Sequence, residues 1–125
     1  MSRVQTARFI ACRRGTAAVE FAMLLPALAA LIVGGIYVAL LVYSIAGLHS
    51  AVEAAARCYS VSATQCSSAS AAQTYAANQY YGIDTPTFIA SAGACGHQVT
   101  GTVTIAFNAV LTDVSVPVTA TSCFP

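Results

Sequence analysis

The chain has 125 residues, of which 58% are hydrophobic and only 7% charged, against roughly a quarter charged in an ordinary soluble domain. That length allows one domain at most, and the apolar surplus must be covered by lipid or by other subunits. It has no lysine, and beyond Gly15 Arg57 alone stands against Glu20, Glu53, Asp84 and Asp113, so nothing there can hold phosphate and nucleic acid is excluded as a partner.

Residues 1–15 are a basic leader. Arg3, Arg8, Arg13 and Arg14 lie here with Cys12, among small and polar residues too few to fold alone. The run from Phe21 to Ala46 follows without a charge and exceeds the about 20 residues needed to cross a hydrocarbon layer about 30 Å thick. With the arginines on one side, the positive-inside rule predicts a single pass, N-terminus cytoplasmic and C-terminal part exported. Cys58, Cys66, Cys95 and Cys123 then all fall in the oxidising compartment, an even number suited to disulfides.

Two ordinary export signals fit the leader poorly. A signal-peptidase site at Ala27-Leu28-Ala29 would leave most of the apolar run on the mature chain. A twin-arginine signal at Arg13-Arg14 lacks the apolar residues expected next, because Gly15-Thr16-Ala17 follows.

A third reading uses the glycine and the glutamate together. Arg13-Arg14-Gly15-Thr16-Ala17-Ala18-Val19-Glu20-Phe21-Ala22-Met23-Leu24-Leu25-Pro26 resembles the N-terminus of the TadE-like pseudopilins, minor pilins of the Tad (Flp-type) type IV pilus systems of bacteria. The closing Val116–Pro125 stretch is similar to that family's C-terminal end, whereas residues 58–98 carry no part of the resemblance. The resemblance implies cleavage by a membrane prepilin peptidase between Gly15 and Thr16, leaving Glu20 as the fifth mature residue. Phe21 stands where the major Flp pilins usually have tyrosine, which together with the extra C-terminal domain points to a pseudopilin rather than the main filament subunit. The implied partners are the prepilin peptidase, the major Flp pilin and other pseudopilins, the inner-membrane Tad assembly platform with its ATPase, and membrane lipid. The implied location is the bacterial inner membrane, C-terminus periplasmic, with incorporation into an extracellular adhesive pilus open.

Glu20 stands out on physical grounds as well. A charged carboxylate at the bilayer centre costs about 2.5 to 3.5 kcal/mol on insertion scales, which makes intramembrane acids functional suspects. It lies only four residues from Thr16, about 6 Å along a helix, so a solvated acid favoured by the helix dipole competes with a carboxylate pairing with the Thr16 amine of a neighbouring subunit. Ala18, Ala22, Pro26, Ala30 and Gly34 recur at intervals of four on one face, a small-residue stripe suited to a close helix neighbour. Tyr37 and Tyr43 lie toward the far end, where interfacial aromatics are common.

Helical character is expected to continue to Arg57, with Glu53 and Arg57 spaced for an ion pair and Ala51, Ala54, Ala55 and Ala56 offering a small-residue surface. Cys58 to Cys66 reads as a polar loop. A short second helix is predicted from Ala71 to Tyr81, ended by Gly82, with Tyr75, Tyr80 and Tyr81 packing beneath a sheet. Thr87–Ile89 reads as a brief strand and Ala92-Gly93-Ala94 as a turn. Val99, Gly101, Val103, Ile105 and Phe107 alternate with threonines, and Val110–Thr121 alternates again, Pro117 demoting that strand to an edge or bulge.

The predicted fold class is therefore α+β. A long N-terminal transmembrane α-helix precedes a small disulfide-stapled domain with a short helix and a two- or three-stranded antiparallel sheet. Residues 1–15 are the leader, 16–57 the transmembrane and stalk helix, and 58–125 the exported domain. Four exported cysteines permit three connectivities; position favours Cys58 with Cys66 and Cys95 with Cys123. His49 and His97 lack ligand spacing and there is no Cys-x-x-Cys, so no metal or cofactor is expected. No nucleophile-base-acid set stands out, and a secreted hydrolase lacks its residues. The competing reading is an uncleaved signal-anchor protein with an exported binding domain.

Overall fold

A computed structural model describes residues 15–108 and 112–125. The leader up to Arg14, with Arg3, Arg8, Cys12 and Arg13, and residues 109–111 lie outside the described residues. The order of elements is α1 (Thr16–Val61), α2 (Ala69–Gln79), β1 (Thr87–Gly93), β2 (Gly96–Asn108) and β3 (Asp113–Phe124). The chain divides into two compact units between Ile36 and Tyr37, so that α1 contributes to both.

In the first unit every described residue is exposed. Phe21, Leu24, Leu28 and Leu31 are all at least half exposed, and Pro26 sits inside the helix.

The second unit is a helix on a three-stranded antiparallel sheet of order β1-β2-β3. From Ser44 onward α1 buries Ser44, Gly47, Leu48, Ala51, Val52, Ala55 and Ala56, the three-and-four spacing of one helix face. Strand β2 answers with its odd positions: Val99, Gly101, Val103 and Ile105 are buried, while Thr102 and Thr104 face out, the alternation of a half-buried strand. Register brings Phe88 and Ala120 beside Gly101, Ala90 beside Val99, and Val118 beside Val103 on the same inner face. Glycine at 101 has a steric cause. A Cβ there would stand 2.7 Å from Phe88 Cε1 and 2.9 Å from both Leu48 Cδ1 and Val52 Cγ1, so helix and sheet leave no room for a side chain at that point.

Two disulfides staple this unit. Cys58–Cys66 joins the end of α1 to the approach to α2, and Cys95–Cys123 joins the β1–β2 turn to the end of β3. Gly96 closes that turn with φ of 109°, a left-handed conformation that favours glycine. Strand β3 is an edge, where Pro117 opposite Thr104 needs no inward N–H.

Several expectations shift. The segment after Cys58 is helical to Val61 rather than a loop. Its weak propensity is overridden by packing, because the Tyr59 ring lies 4.1 Å from that of His97 and the Ser60 hydroxyl donates to the Pro125 main-chain oxygen at 2.6 Å. Helix α2 starts at Ala69 with Ser68 as its cap, the Ser68 hydroxyl accepting from the Ala71 amide at 3.2 Å. It ends at Gln79 with Tyr80 in extended conformation, not at Gly82; glycine at 82 instead gives room to the Tyr80 ring, which a Cβ there would overlap. Ala92 and Gly93 belong to β1, leaving Ala94 and Cys95 as the turn. The tyrosines do not form one cluster. Tyr75 and Tyr80 pack against the core, whereas Tyr81 is exposed and its ring meets Tyr43 at 5.2 Å. No ion pair joins Glu53 and Arg57 among the described residues; both are exposed, where such a pair gains only a few tenths of a kcal/mol. The stretch Phe21–Ala46 is not wholly available to lipid either: Leu40 and Leu41 are half-buried and Ser44 fully buried by the protein itself.

The close contact at Gly101 makes a direct prediction. Gly101→Ala should cost about 1 to 3 kcal/mol as an overpacked core site, and Gly101→Val more, read as lowered urea midpoints. The outward Thr102→Val should change the midpoint little, and equal losses at 101 and 102 would contradict the packing.

Candidate functional site

The residues that the sequence singles out for assembly lie in the first turns of α1. The helix begins at Thr16, with Gly15 immediately before it. Glu20 and Phe21 follow within two turns, and both are exposed. Main-chain donors at a helix N-terminus are unsatisfied and carry partial positive charge, which favours an acid in this neighbourhood.

Ala18, Ala22, Pro26, Ala30 and Gly34 are likewise exposed, and a Cβ built at Gly34 would meet nothing within 4 Å. The stripe therefore offers the open, close-approach surface that small residues provide, with no neighbour on it among the described residues. The helix passes the length and composition test for a membrane span, with mean hydropathy of 2.5 in a window that is 0% buried. A helix apolar all round and uncovered is compatible with a membrane anchor.

The four cysteines beyond α1's apolar run are brought together as two pairs, with Cα separations of 5.7 Å for Cys58–Cys66 and 6.2 Å for Cys95–Cys123. Cys58 and Cys66 are buried and Cys95 is exposed. His49 is exposed on α1; His97 lies near the start of β2 with its Nδ1 buried and unpartnered. Among the described residues no group of three or more His, Cys, Asp or Glu side chains is placed to hold a metal. An open groove of about 500 Å³ between α1 and β3 is lined by Ser50, Glu53, Ala54, Arg57, Ser122, Cys123 and Phe124. It joins one acid, one base and a disulfide sulfur without a buried polar group to act on a substrate.

Sequence reasoning missed a polar knot under the domain. Ser44 Oγ, Tyr80 OH and Asp84 Oδ2 are buried without hydrogen-bond partners. Burial pushes the Tyr80 phenol above its ordinary range; Ser44 opposes that rise without closing a well-formed hydrogen bond, and the Asp84 charge adds to it by a smaller amount. Ser44 gave no signal, since a serine in an apolar helix reads as background until its burial is known.

A family model described as TadE-like protein matches residues 15–57, about a third of the chain and most of α1. Over that stretch the chain is consistent with a TadE-like protein. No curated protein and no solved structure matches the chain.

Two predictions follow from these geometries. In the unfolded chain Tyr80 loses its proton near pH 10, but the folded domain holds it to higher pH, so unfolding releases a proton and stability falls as pH rises through that range. Tyr80→Phe should flatten this alkaline loss relative to the native chain in urea melts between pH 8 and 11; superimposable profiles would contradict it. Under native conditions a mild reductant followed by alkylation should label Cys95 and Cys123 before the buried Cys58 and Cys66. On the chain-entropy model the longer-range Cys95–Cys123 bridge contributes about 3.5 kcal/mol and Cys58–Cys66 about 2.5 kcal/mol, so serine pairs should rank in that order.

Proposed function

We propose that this chain is a pseudopilin, a minor structural subunit used in building a Tad-type pilus. It enters the inner membrane by α1 with the arginine-rich leader in the cytoplasm. Prepilin peptidase removes residues 1–15, and the mature chain from Thr16 keeps the span and stalk, with residues 58–125 as the periplasmic domain. The observation that carries this reading is that the TadE-like match starts at residue 15, where the basic leader stops.

In the mature chain, Glu20 pairs with the Thr16 amine of an adjacent subunit. Coulomb attraction between two such groups in a low-dielectric layer is far stronger than in water, and pairing removes the cost of leaving the carboxylate alone in lipid. The stripe of Ala18, Ala22, Pro26, Ala30 and Gly34 lets the neighbouring helix approach, and the pair sets its register. The partners are the prepilin peptidase, the major Flp pilin, other pseudopilins and the inner-membrane assembly platform. The role is structural: the pilus-related family behind the match is not an enzyme family.

Intact mass of the membrane-extracted protein, in cells with and without prepilin peptidase, tests the processing step. Loss of residues 1–15 only when the peptidase is active is expected; retention in both strains returns the uncleaved signal-anchor reading. Glu20→Ala should leave cleavage intact and abolish assembly, while Glu20→Asp should retain part of it. Normal piliation with Glu20→Ala would remove the proposed pairing.

A further inference from the structure

We infer that the β2–β3 hairpin end rests in the outer interfacial layer of the bilayer, so that the exported domain touches the membrane through Tyr37, Phe107 and Val114. The inference depends on the membrane-anchored reading above and adds a second point of contact to it.

The depth of Tyr37 follows from chain length. In the uncleaved chain, which is the form tested below, the charges of Arg13 and Arg14 favour the aqueous side, so the span starts no earlier than Gly15. Thr16 to Ile36 at 1.5 Å per residue covers roughly 31 Å, the thickness of the hydrocarbon core at about 30 Å. Starting the span later only sinks Tyr37 deeper, and tilting the helix does the same. Tyr37 therefore lies at or inside the outer boundary of the hydrocarbon.

The sheet comes down to this level. The Phe107 ring sits 5.3 Å from that of Tyr37 in an edge-to-face arrangement, and Phe107 pairs across the ladder with Val114, which is 50% exposed. Beyond them the last described pair is Asn108 with Asp113. Residues 109–111 lie outside the described residues, and the inference uses only those flanking them. The other end of the sheet is remote: His97 on β2 packs on Tyr59 near the end of α1, ten residues from Phe107, or roughly 33 Å along a strand.

The chemistry of this end suits the interfacial layer rather than the hydrocarbon core. Aromatic rings with an apolar body and a polar tip, such as Tyr37, settle at headgroup depth. Asn108 and Asp113 are polar and exposed and need water or headgroups rather than bare hydrocarbon. Strands β2 and β3 hold no lysine or arginine, His97 lies at the remote end, and Asp113 is their one acid, so the contact does not depend on anionic lipid. Zwitterionic bilayers are the fitting partner.

The chain contains no tryptophan, so single tryptophans report without background. The full chain carrying one of Val114→Trp, Thr112→Trp, Ile89→Trp or Leu28→Trp is reconstituted into phosphatidylcholine vesicles containing acyl chains brominated at a shallow or a deep position. Ile89, exposed and paired with Thr100, lies roughly 23 Å up the sheet from Phe107 and is the dry reference. Tryptophan at 28 should be quenched most by deep bromines. At 114 and 112 shallow bromines should lower emission at least twofold more than at 89. Quenching at 28 with 114 and 112 both behaving like 89 would overturn the hairpin contact and leave the anchor standing. Absence of quenching at 28 would overturn the anchor and this inference together.

Discussion

The structure depends on one contact: the inner face of β2 laid on the small-residue face of α1, with Gly101 set against Leu48 and Val52. Ala51, Ala55 and Ala56 bury little area each, so the layer gains its stability mainly from Leu48, Val52, Val99, Val103 and Ile105, all fully buried. A glycine opposite Leu48 and Val52 is what permits that contact, and Phe88 closes the third side. Every other element is placed by this layer, α2 lying against β1 and the two strands flanking β2 fixed by its register.

A core made largely of alanine and valine is thin for a unit of fewer than 90 residues, which is where small domains use covalent staples. The two disulfides act on different parts of the problem. Cys58–Cys66 fixes where the chain leaves α1 and turns toward α2. Cys95–Cys123 ties the β1–β2 turn to the end of edge strand β3, which is otherwise held on one side only, by its ladder with β2. Because β3 is also the strand that reaches down to Asp113 and Val114, this staple steadies the hairpin proposed to meet the bilayer.

The strong periodicities were legible in the sequence. Four arginines before a long apolar run, alternation through β2, and Pro117 on an edge all follow from local chemistry. Three things were not. The helix runs past Cys58 because Tyr59 finds His97 and Ser60 finds Pro125, contacts that no propensity encodes. Tyr81 leaves its neighbours for Tyr43, since three tyrosines near each other in sequence need not share a side. Most consequential is where the protein's own core begins on the apolar run. Leu40, Leu41 and Ser44 read as well for a bilayer as for a protein core, because lipid tails are as apolar as leucine, and only the folded sheet marks that protein covers them. The Gly15, Thr16 and Glu20 set is singled out by its resemblance to a known family, and the processing and pairing proposed for it involve a peptidase and a neighbouring subunit beyond the single folded chain.

The central claim is that α1 is shared, lipid covering it up to about Ile36 and its own sheet covering it beyond. A carbene precursor dissolved in the bilayer core and activated by light inserts into whatever side chains lipid touches. In reconstituted full-length protein, peptide mapping should place its adducts on Phe21, Leu24, Leu28, Leu31 and Ile32, with none on Leu48 or Val52. Adducts continuing evenly through Leu48 and Val52 would contradict the account, because the sheet would then not be covering the helix in the membrane.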